Sequence, residues 1–381
     1  MSCPIGKKVR TVMAVITLSL PAPLFAGGVT VYQEDGAFVK IGGRIQMQYH
    51  KNDPDDGADS DTVFLRRLRP FIEGSLHKDW KGKFQFDLGK ANNENEISIK
   101  DAYMEYTGFD GIKIKIGNAS FPFSRELLSS SKKQQLVERT FVGNHNYGTP
   151  SRNLGIHVSG HNTDKKITWG AAISQAAIDP SSSKLDFDSP VNAKDDFNEG
   201  WIFGGRVDFH PFGRLKFSQG DFKGDMKATI GLAAFTWSND GDFEDKTAGS
   251  NDISDVTGFE LSGAFRANGF SVDTQYNRFS ADTSDVIRTS GLYENGSTDL
   301  ESRAVEGGYM VMPGKLELVL GYQLQDADNY AEEWARTSVG INWFIHQHDI
   351  KLQTSYRLND NMKGVKGNDE NELFVQAQYV F

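Results

Sequence analysis

The chain has 381 residues, a formal net charge of -10 at pH 7, a mean hydropathy of -0.48 and one cysteine. That cysteine, Cys3, precedes an apolar run that resembles a signal sequence. The mature chain is therefore expected to have no thiol, which excludes disulfides, thiolate catalysis and cysteine–metal sites. The length would suit two or three soluble domains, but no linker or change of period divides the chain, so one large β domain is expected.

The N-terminus predicts a secretory signal peptide. A basic stretch, KKVR, precedes an apolar run at residues 11–20 and the small-residue segment PAPLFA, which ends at Ala26. The run is too short for a spanning helix, so we expect export and cleavage after Ala26. Residues 1–26 would then be removed, and residues 27–36 would form a short periplasmic leader.

Residues 37–50, AFVKIGGRIQMQYH, alternate between apolar and polar side chains. Val39 and Ile41 fall on one face, and Lys40 and Arg44 on the other, the pattern of a strand with lipid on one side and water on the other. Similar segments recur as far as ELFVQAQYVF, joined alternately by long and short connections. We therefore predict an all-β fold, a transmembrane antiparallel β-barrel of about 16 strands over residues 37–381, in a bacterial outer membrane.

The connections and aromatic residues orient this barrel. The short turns would face the periplasm with both termini, and the long acidic loops would face outside, where they either bridge cations to lipopolysaccharide or are only solvated. Aromatic residues near strand ends predict an interfacial girdle against outer-membrane lipid. They are Tyr49, Tyr106, Trp169, Trp201, Trp237, Tyr322, Trp343, Tyr356 and Tyr379. The final strand, ending at Phe381, resembles the signal by which barrels engage their assembly machinery.

One segment breaks the strand rhythm. Residues 121–139, FPFSRELLSSSKKQQLVER, are basic, rich in serine and weakly helical in period, and they lie between two strong strands. A long connection inside a regular β array usually has a function. We predict that it folds into the barrel mouth as a constriction loop within residues 119–150. The alternative is an ordinary mobile surface loop.

The polar faces of the strands predict the lining of the lumen. Bases outnumber acids there, although the whole chain is acidic, and a cationic wall would concentrate anions. The alternative is that these bases merely pair with acids across the wall. The bases assigned inward are Lys40, Arg44, Arg67, Arg69, Lys83, Lys113, Lys115, Arg206, Lys227, Arg266, Arg336, Lys351 and Arg357, and the acids are Glu73, Asp87, Asp101, Glu105, Asp208, Glu260, Asp273, Glu317 and Glu372.

Other sites are less well supported. His157, Ser159 and His161 invite comparison with a serine hydrolase, but Ile156 and Val158 occupy the lipid face, which makes His157 and Ser159 lumen lining. No third catalytic member is evident. We predict no catalytic residue, no metal site, no cofactor and no nucleic-acid patch.

The blocks FLRRLRPFIEGSL, ISIKDAYMEY, IKIGNASFPFSRELLSSSKKQQLVERTF and SRNLGIHVSG resemble the phosphate-selective porins of the O and P type. The resemblance covers residues 43 to 160 and resumes at the last strand. It implies a trimeric barrel of about sixteen strands with a constriction loop. It also implies a ladder of arginines that attracts anions, and lysines at the narrowest point.

Carried over residue by residue, Arg66 and Arg67 match the family's paired arginines, and Asp101 matches the acid of the KDAY block. Lys132 falls near the constriction-loop lysine, with Lys133 as a substitute. Adjacent residues of a regular strand cannot both point inward, so the facing of Arg66 and Arg67 stays open. The complete predicted anion path is Arg44, Arg66, Arg67, Arg69, Asp101, Lys113, Lys115, Arg125, Lys132, Lys133 and Arg139.

The later part of the chain departs from the family. Between residues 259 and 344 the only lysine is Lys315, expected at a periplasmic turn, and Arg288 or Arg303 are the candidates to replace the family's further constriction lysines. We expect passive diffusion of phosphate first and pyrophosphate second, through a homotrimer. The alternatives are a general porin of weak selectivity, or an outer-membrane enzyme or adhesin on the same scaffold.

Overall fold

The computed structural model describes residues 27–89, 97–181, 183–192, 199–240, 253–283 and 289–381. Across these residues the chain forms one antiparallel sheet of twenty strands and a single-turn helix, α1 (Arg125–Leu128). Short 3₁₀ turns occur at Ser131–Lys133, Phe141–Gly143, Pro190–Asn192 and Met362–Gly364. The predicted signal peptide lies outside the described residues. Within them, no helix is long and apolar enough to cross a membrane.

The strands pair in an almost sequential order. They are β1 (Val29–Glu34), β2 (Ala37–Gly42), β3 (Arg44–Pro54), β4 (Ser60–Leu68), β5 (Phe71–His77), β6 (Trp80–Asp87), β7 (Ser98–Tyr106), β8 (Ile112–Ser120), β9 (Arg152–His161), β10 (Ile167–Ser181), β11 (Lys184–Asp188), β12 (Glu199–Phe209), β13 (Lys227–Asn239), β14 (Ile253–Ala267), β15 (Phe270–Thr283), β16 (Ser297–Met312), β17 (Leu316–Ala327), β18 (Trp334–His346), β19 (Ile350–Asp360) and β20 (Glu370–Val380). The last strand, β20, also pairs with β3 along its whole length.

The strand count differs from the prediction of about sixteen for four local reasons. The predicted first strand is divided at Gly43 into β2 and β3, and the second is divided between β4 and β5 at Pro70, which has no N–H to donate to a neighbouring strand. The leader contributes β1, which pairs with β2. The long loop after β10 folds back as β11.

Side chains of the long strands alternate between two faces, as the sequence predicted. Along β17, Leu318 and Leu320 are exposed, whereas Val319 between them is buried. The exposed face is apolar, which is typical of a surface that meets another apolar medium. The opposite face carries polar and charged side chains beneath two coil segments, residues 121–151 and residues 210–226, and is here called the covered face.

One part of the covered face is aromatic. Phe235, Trp237 and Phe279 project from β13 and β15 into a buried cluster with Phe121 and Phe123. The assignment of Trp237 to an outer girdle is therefore wrong. Its side chain is fully buried, and its indole Nε1 donates to the Ala176 carbonyl over 2.9 Å. Strand alternation alone placed it on the wrong face, because aromatic residues serve equally well in a core.

Candidate functional site

Residues 121–151, the constriction segment, are packed against the covered face. The rings of Phe123 and Phe235 are 5.0 Å apart, and those of Phe141 and Trp334 are 4.8 Å apart. Helix α1 begins after Ser124, whose hydroxyl accepts a hydrogen bond from the Leu127 N–H. Such burial fixes the segment in place, because removing it would expose several large rings.

The middle of the constriction segment is attached to β17, β18 and β19 by polar contacts. Lys351 Nζ donates to the Gln134 carbonyl over 2.8 Å, and the Val137 N–H donates to the Ser355 hydroxyl over 3.1 Å. The Phe141 N–H donates to the Gln323 side chain over 2.8 Å. Attachment to this side of the sheet leaves space beside β2 to β8.

That space is a cavity of about 440 Å³ with an unusual concentration of cations, here called the basic cavity. Among the described residues, two carboxylates, Glu73 and Asp101, line it. Because like charges at short range repel, such a lining is costly unless it has anionic partners in the protein or in solution. The cations are Lys40, Arg44, Arg69, Lys83, Lys115, Lys132, Arg139 and Arg152.

Some of these cations are neutralised within the protein. Asp101 accepts from Lys83 Nζ over 2.5 Å and from Arg152 Nε over 2.9 Å. Arg69 Nε donates to Asp87 over 2.6 Å. These pairs orient the side chains of the cavity wall and reduce its net charge.

The others keep their charge available. Within the described part of the chain, Arg44, Lys132 and Arg139 form no ion pair, and the buried Nε atoms of Arg44 and Arg139 have no hydrogen-bond acceptor. Burial lowers the pKa of Arg139 to about 10, so it remains cationic at neutral pH. Burial and then the charges of Arg44 and Lys133 lower the pKa of Lys132.

A β-bulge resolves the facing of the paired arginines. Gln46 on β3 is opposite Arg67, and Met47 is opposite Leu65, so Arg66 is the extra residue of β4. A bulge allows adjacent side chains to share a face. Both arginines consequently contact the covered side.

The two arginines make different contacts there. Arg66 donates through Nε and one terminal nitrogen to the two oxygens of Glu138, over 2.7 and 3.1 Å, and Arg67 donates to Gln46 over 3.2 Å. Burial alone would raise the pKa of Glu138, but Arg66 lowers it to about 2. Glu138 is therefore ionised at every physiological pH and neutralises Arg66.

The remaining predicted residues divide between three places. Arg44, Arg69, Asp101, Lys115, Lys132 and Arg139 line the basic cavity. Lys113 lies in a neighbouring cavity of about 710 Å³, and Lys115 borders both. Lys133 is not in the lining of the basic cavity. Arg125 lies apart, 1% exposed, with its Nε 3.1 Å from Asp273.

Sequence reasoning missed several cations. Arg152 was not recognised, although it begins β9 directly after the constriction segment. Arg336 and Arg357 were assigned inward but not to the anion path. The Arg336 guanidinium lies over the rings of Phe141 and Trp334, 4.1 and 4.3 Å from their centroids. The positions of Arg336 and Arg357 beside the constriction segment depend on the register between strands, which the sequence does not give.

Of the expected substitutes for the later lysines, the described one, Arg303, does not reach the constriction segment. Arg303 is 54% exposed and pairs with Glu301, and Arg288 lies outside the described residues. From the C-terminal half, Lys351 contacts the constriction segment; it lies after residues 259–344, where the replacements for the family's lysines were expected. The hydrolase comparison also fails, because His157 Nε2 contacts the Asn153 carbonyl and no hydrogen bond among the described residues joins it to Ser159.

Comparison with known proteins gives a consistent set of likenesses. A family model described as phosphate-selective porin O and P matches residues 39–196. Porin O of Pseudomonas aeruginosa is 25% identical over 418 residues, covering 93% of this chain and 91% of that protein.

Two solved outer-membrane proteins share the fold. An anion-selective porin from Comamonas acidovorans has a TM-score of 0.60 at 13% identity, covering 91% of this chain and 100% of that chain. The trimer form of OmpT, an outer membrane protein of Vibrio cholerae, has a TM-score of 0.57 at 15% identity, again covering 91% and 100%. At these identities the structural likeness concerns the fold alone.

Proposed function

We propose, from its likeness to the phosphate-selective porins O and P, that the chain is an outer-membrane porin through which phosphate and related small anions diffuse. Likeness to this family supports a channel and not an enzyme. The observation that carries the choice of anions is the group of basic-cavity cations that have no ion-pair partner among the described residues, Arg44, Lys132 and Arg139.

The proposed channel is a closed barrel. The pairing of β20 with β3 supports closure, because it joins the last strand to the first long strand over Glu370–Val380. If β2 with β3 and β4 with β5 each count as one interrupted strand, and β1 and β11 are accessory, the wall has the about sixteen strands that bacterial porins use. The covered face then becomes the lumen, and the apolar face meets lipid.

The route through this barrel passes the basic cavity. The constriction segment is attached to β17–β19, so ions would cross beside β2–β8. Arginine forks grip phosphate oxygens in pairs and lysine adds a point charge. The carboxylate of Asp101 neutralises two of the cations, which keeps anion binding weak enough for release. Pyrophosphate is the second candidate, because the cavity of about 440 Å³ does not exclude a diphosphate by size.

Further elements of the proposal follow from the membrane location. Export would use residues 1–26 with cleavage after Ala26, and β20 with Phe381 would engage the barrel-assembly machinery. Outer-membrane lipid and lipopolysaccharide would surround the exposed face. A homotrimer is the proposed assembly, by analogy with the trimer form of the Vibrio cholerae protein.

Single-channel recording in planar bilayers tests this function. We expect the purified protein to give an anion-selective reversal potential in a potassium chloride gradient, and phosphate to block the chloride current. The double variant Lys132→Ala, Lys133→Ala should weaken the block by about tenfold, the effect of removing about 1.4 kcal/mol of binding.

The matched control is the double variant Lys315→Ala, Lys366→Ala, which removes the same charge from exposed positions away from the covered face. It should behave like the wild type. Weak or cation selectivity without phosphate block would instead favour a general porin. A closed channel with no conductance would favour an adhesin, and hydrolysis that is lost in Ser159→Ala would favour an enzyme.

A further inference from the structure

A second coil segment lies beneath the constriction segment. Residues 210–226, here called the inner coil, connect β12 to β13, whereas the next connection at the same edge, between β14 and β15, is the tight turn at 268–269. The inner coil turns onto the covered face. Arg266 donates to the Ser218 carbonyl over 2.8 Å, and Phe222 packs against Phe344 with ring centroids 4.8 Å apart.

Gln219, at the centre of the inner coil, connects it to the constriction segment. Its backbone N–H donates to the Lys133 carbonyl over 3.0 Å, and its side-chain oxygen accepts from the Gln135 N–H over 2.7 Å. Its side-chain nitrogen donates to Glu306, and its carbonyl accepts from His348 Nε2 over 2.9 Å. Every polar group of this residue, which is 3% exposed, therefore has a partner.

The inner coil around Gln219 is itself held firmly. Asp221 accepts from the N–H groups of Lys223 and Gly224 through one oxygen, over 3.2 and 2.9 Å. Its other oxygen accepts from the Gly269 N–H over 2.8 Å. Because the coil is braced within itself and against a neighbouring turn, Gln219 is a fixed point and not a side chain that follows its neighbours.

The lysine turn, Ser131–Lys133, is attached from both sides. From the strands, Gln378 donates to the Lys132 carbonyl over 3.0 Å and Gln46 donates to the Ser131 carbonyl over 3.4 Å. From the inner coil, Gln219 binds the backbone of Lys133 and Gln135. Lys132 lies between these attachments with its side chain in the basic cavity.

We propose that Gln219 is a positioning residue for the constriction, holding the lysine turn so that Lys132 stays in the basic cavity. The inference rests on the proposed function, because it explains how an anion filter keeps its geometry. The inner coil thereby affects selectivity without contributing a charge to the filter. Gln219 acts through Lys132 and does not itself touch the anion.

The test compares two variants that each remove a buried side-chain amide bonded to the constriction segment. Gln219→Ala removes the bond to the Gln135 N–H beside the lysine turn. Gln323→Ala removes the bond to the Phe141 N–H, further along the segment and away from the lysine turn. Both leave one backbone donor without its partner, and Gln219→Ala also removes the hydrogen bond to Glu306, so its loss of stability should be at least as large as that of Gln323→Ala.

Only Gln219→Ala should change selectivity. We expect its anion-to-cation permeability ratio, measured from reversal potentials of the purified protein, to fall by about threefold, comparable to the net effect of one hydrogen bond. Phosphate block should weaken with it. In the double variant Gln219→Ala, Lys132→Ala the two effects should not add, because coupled residues share one interaction.

An unchanged permeability ratio in Gln219→Ala, or the same change in Gln323→Ala, would overturn the inference. If Gln219→Ala does not fold, Gln219→Met, which keeps the side-chain volume, takes its place with the same expectation. A wild-type channel without anion selectivity would contradict the proposed function instead. In that case an increased conductance in Gln219→Ala alone would support positioning of the segment, and equal conductance in both variants would overturn it.

Discussion

Two groups of arginines on the covered face differ in what surrounds them. In the first, here called the paired cluster, Arg125, Arg206 and Arg266 meet Asp208, Glu260 and Asp273, with nitrogen-to-oxygen distances of 2.5 to 3.1 Å. In the second, the basic cavity, Arg44, Lys132 and Arg139 form no ion pair within the described residues. Both groups would have been counted as an anion-attracting wall from sequence alone.

A charged side chain on the covered face therefore attracts an ion from solution only if no carboxylate of the protein already neutralises it. In the paired cluster each guanidinium already has a carboxylate partner, so the cluster contributes to holding the constriction segment against β12–β15. Arg44, Lys132 and Arg139 of the basic cavity have no carboxylate partner among the described residues, and an anion from solution can supply one. The alternative interpretation, in which the bases pair with acids, therefore describes the paired cluster, whereas the cationic-wall interpretation stays a prediction for the basic cavity.

The largest expected effect is a loss of folding stability when an ion pair of the paired cluster is removed. Glu260 is fully buried and accepts from Arg206 over 2.5 Å and from the Arg125 N–H over 3.0 Å. Glu260→Gln would leave Arg206 without half of its neutralising charge. The free energy of unfolding should fall by about 3–5 kcal/mol, as measured by urea unfolding in lipid vesicles.

The selectivity of the channels that remain folded in Glu260→Gln should stay near the wild-type value. A large loss of anion selectivity in this variant, with little loss of stability, would show that the paired cluster lies on the ion path. The distinction between the two regions would then be wrong.

The converse variant, Arg44→Gln, removes an unpaired cation from the basic cavity. At about 6 Å and an effective dielectric constant of about 20, one charge interacts with an ion by about 3 kcal/mol, so the anion-to-cation permeability ratio should fall about tenfold or more. The free energy of unfolding should change little, because Arg44 forms no ion pair among the described residues that the variant would break. Reversal potentials measure the ratio.

Arg303→Gln is the matched control for Arg44→Gln. Arg303 belongs to the exposed face and pairs with Glu301, so its removal should leave the ratio unchanged. Equal shifts in the two variants would mean that long-range charge, and not the basic cavity, determines selectivity.

The sequence predicted most strands and most of their faces, and it showed that residues 121–139 interrupt the strand pattern, because each of these depends on local alternation or on its interruption. For the paired arginines of β4, the sequence left open which of Arg66 and Arg67 faces inward. A regular strand forbids two adjacent inward residues, and the bulge that permits them depends on the register between β3 and β4. Sequence alone does not specify that register at a single residue.

Ion pairs between residues that are distant in the chain could not be predicted from the sequence, for a related reason. Arg125 was predicted on the anion path because it lies in the basic segment, but its partner, Asp273, is on β15. The inner coil was recognised only as a longer turn, since nothing in its sequence shows that Gln219 reaches Lys133 and Gln135. These contacts join residues that are far apart in sequence, so they depend on how the whole chain folds and not on the local pattern.

A smaller, pH-dependent effect should come from Glu126 in α1, which accepts hydrogen bonds from the N–H and the hydroxyl of Thr140. Burial raises its pKa to about 7, although Arg139 opposes the shift. The protonated form is therefore favoured in the folded protein below pH 7. The stability that this contributes is complete below the usual pKa of about 4.5 and is lost as the pH rises through 7.

Ionisation of Glu126 would also add a negative charge near Arg139. Anion selectivity should consequently decrease by about two- to threefold between pH 6 and pH 8. Glu126→Gln should abolish this dependence. Glu138→Gln is the control, because Glu138 has a pKa of about 2 and does not titrate in this range, so the variant should keep the wild-type pH profile. An identical profile in Glu126→Gln and the wild type would contradict the assignment.

The smallest effect should come from Lys113, at the margin of the charged region. Its side chain is 57% exposed and its Nζ is 3.8 Å from Glu105, in the wide cavity beyond the basic one. Water and salt screen such a charge, with a Debye length of about 10 Å at 0.1 M and about 3 Å at 1 M. Lys113→Gln should therefore lower the permeability ratio by less than about twofold at 0.1 M potassium chloride and by nothing measurable at 1 M.

Lys115→Gln, which removes a more deeply placed charge at the border of both cavities, should keep a detectable effect at 1 M. Equal salt dependence in the two variants would mean that the basic cavity has no better shielding from solvent than the mouth of the channel.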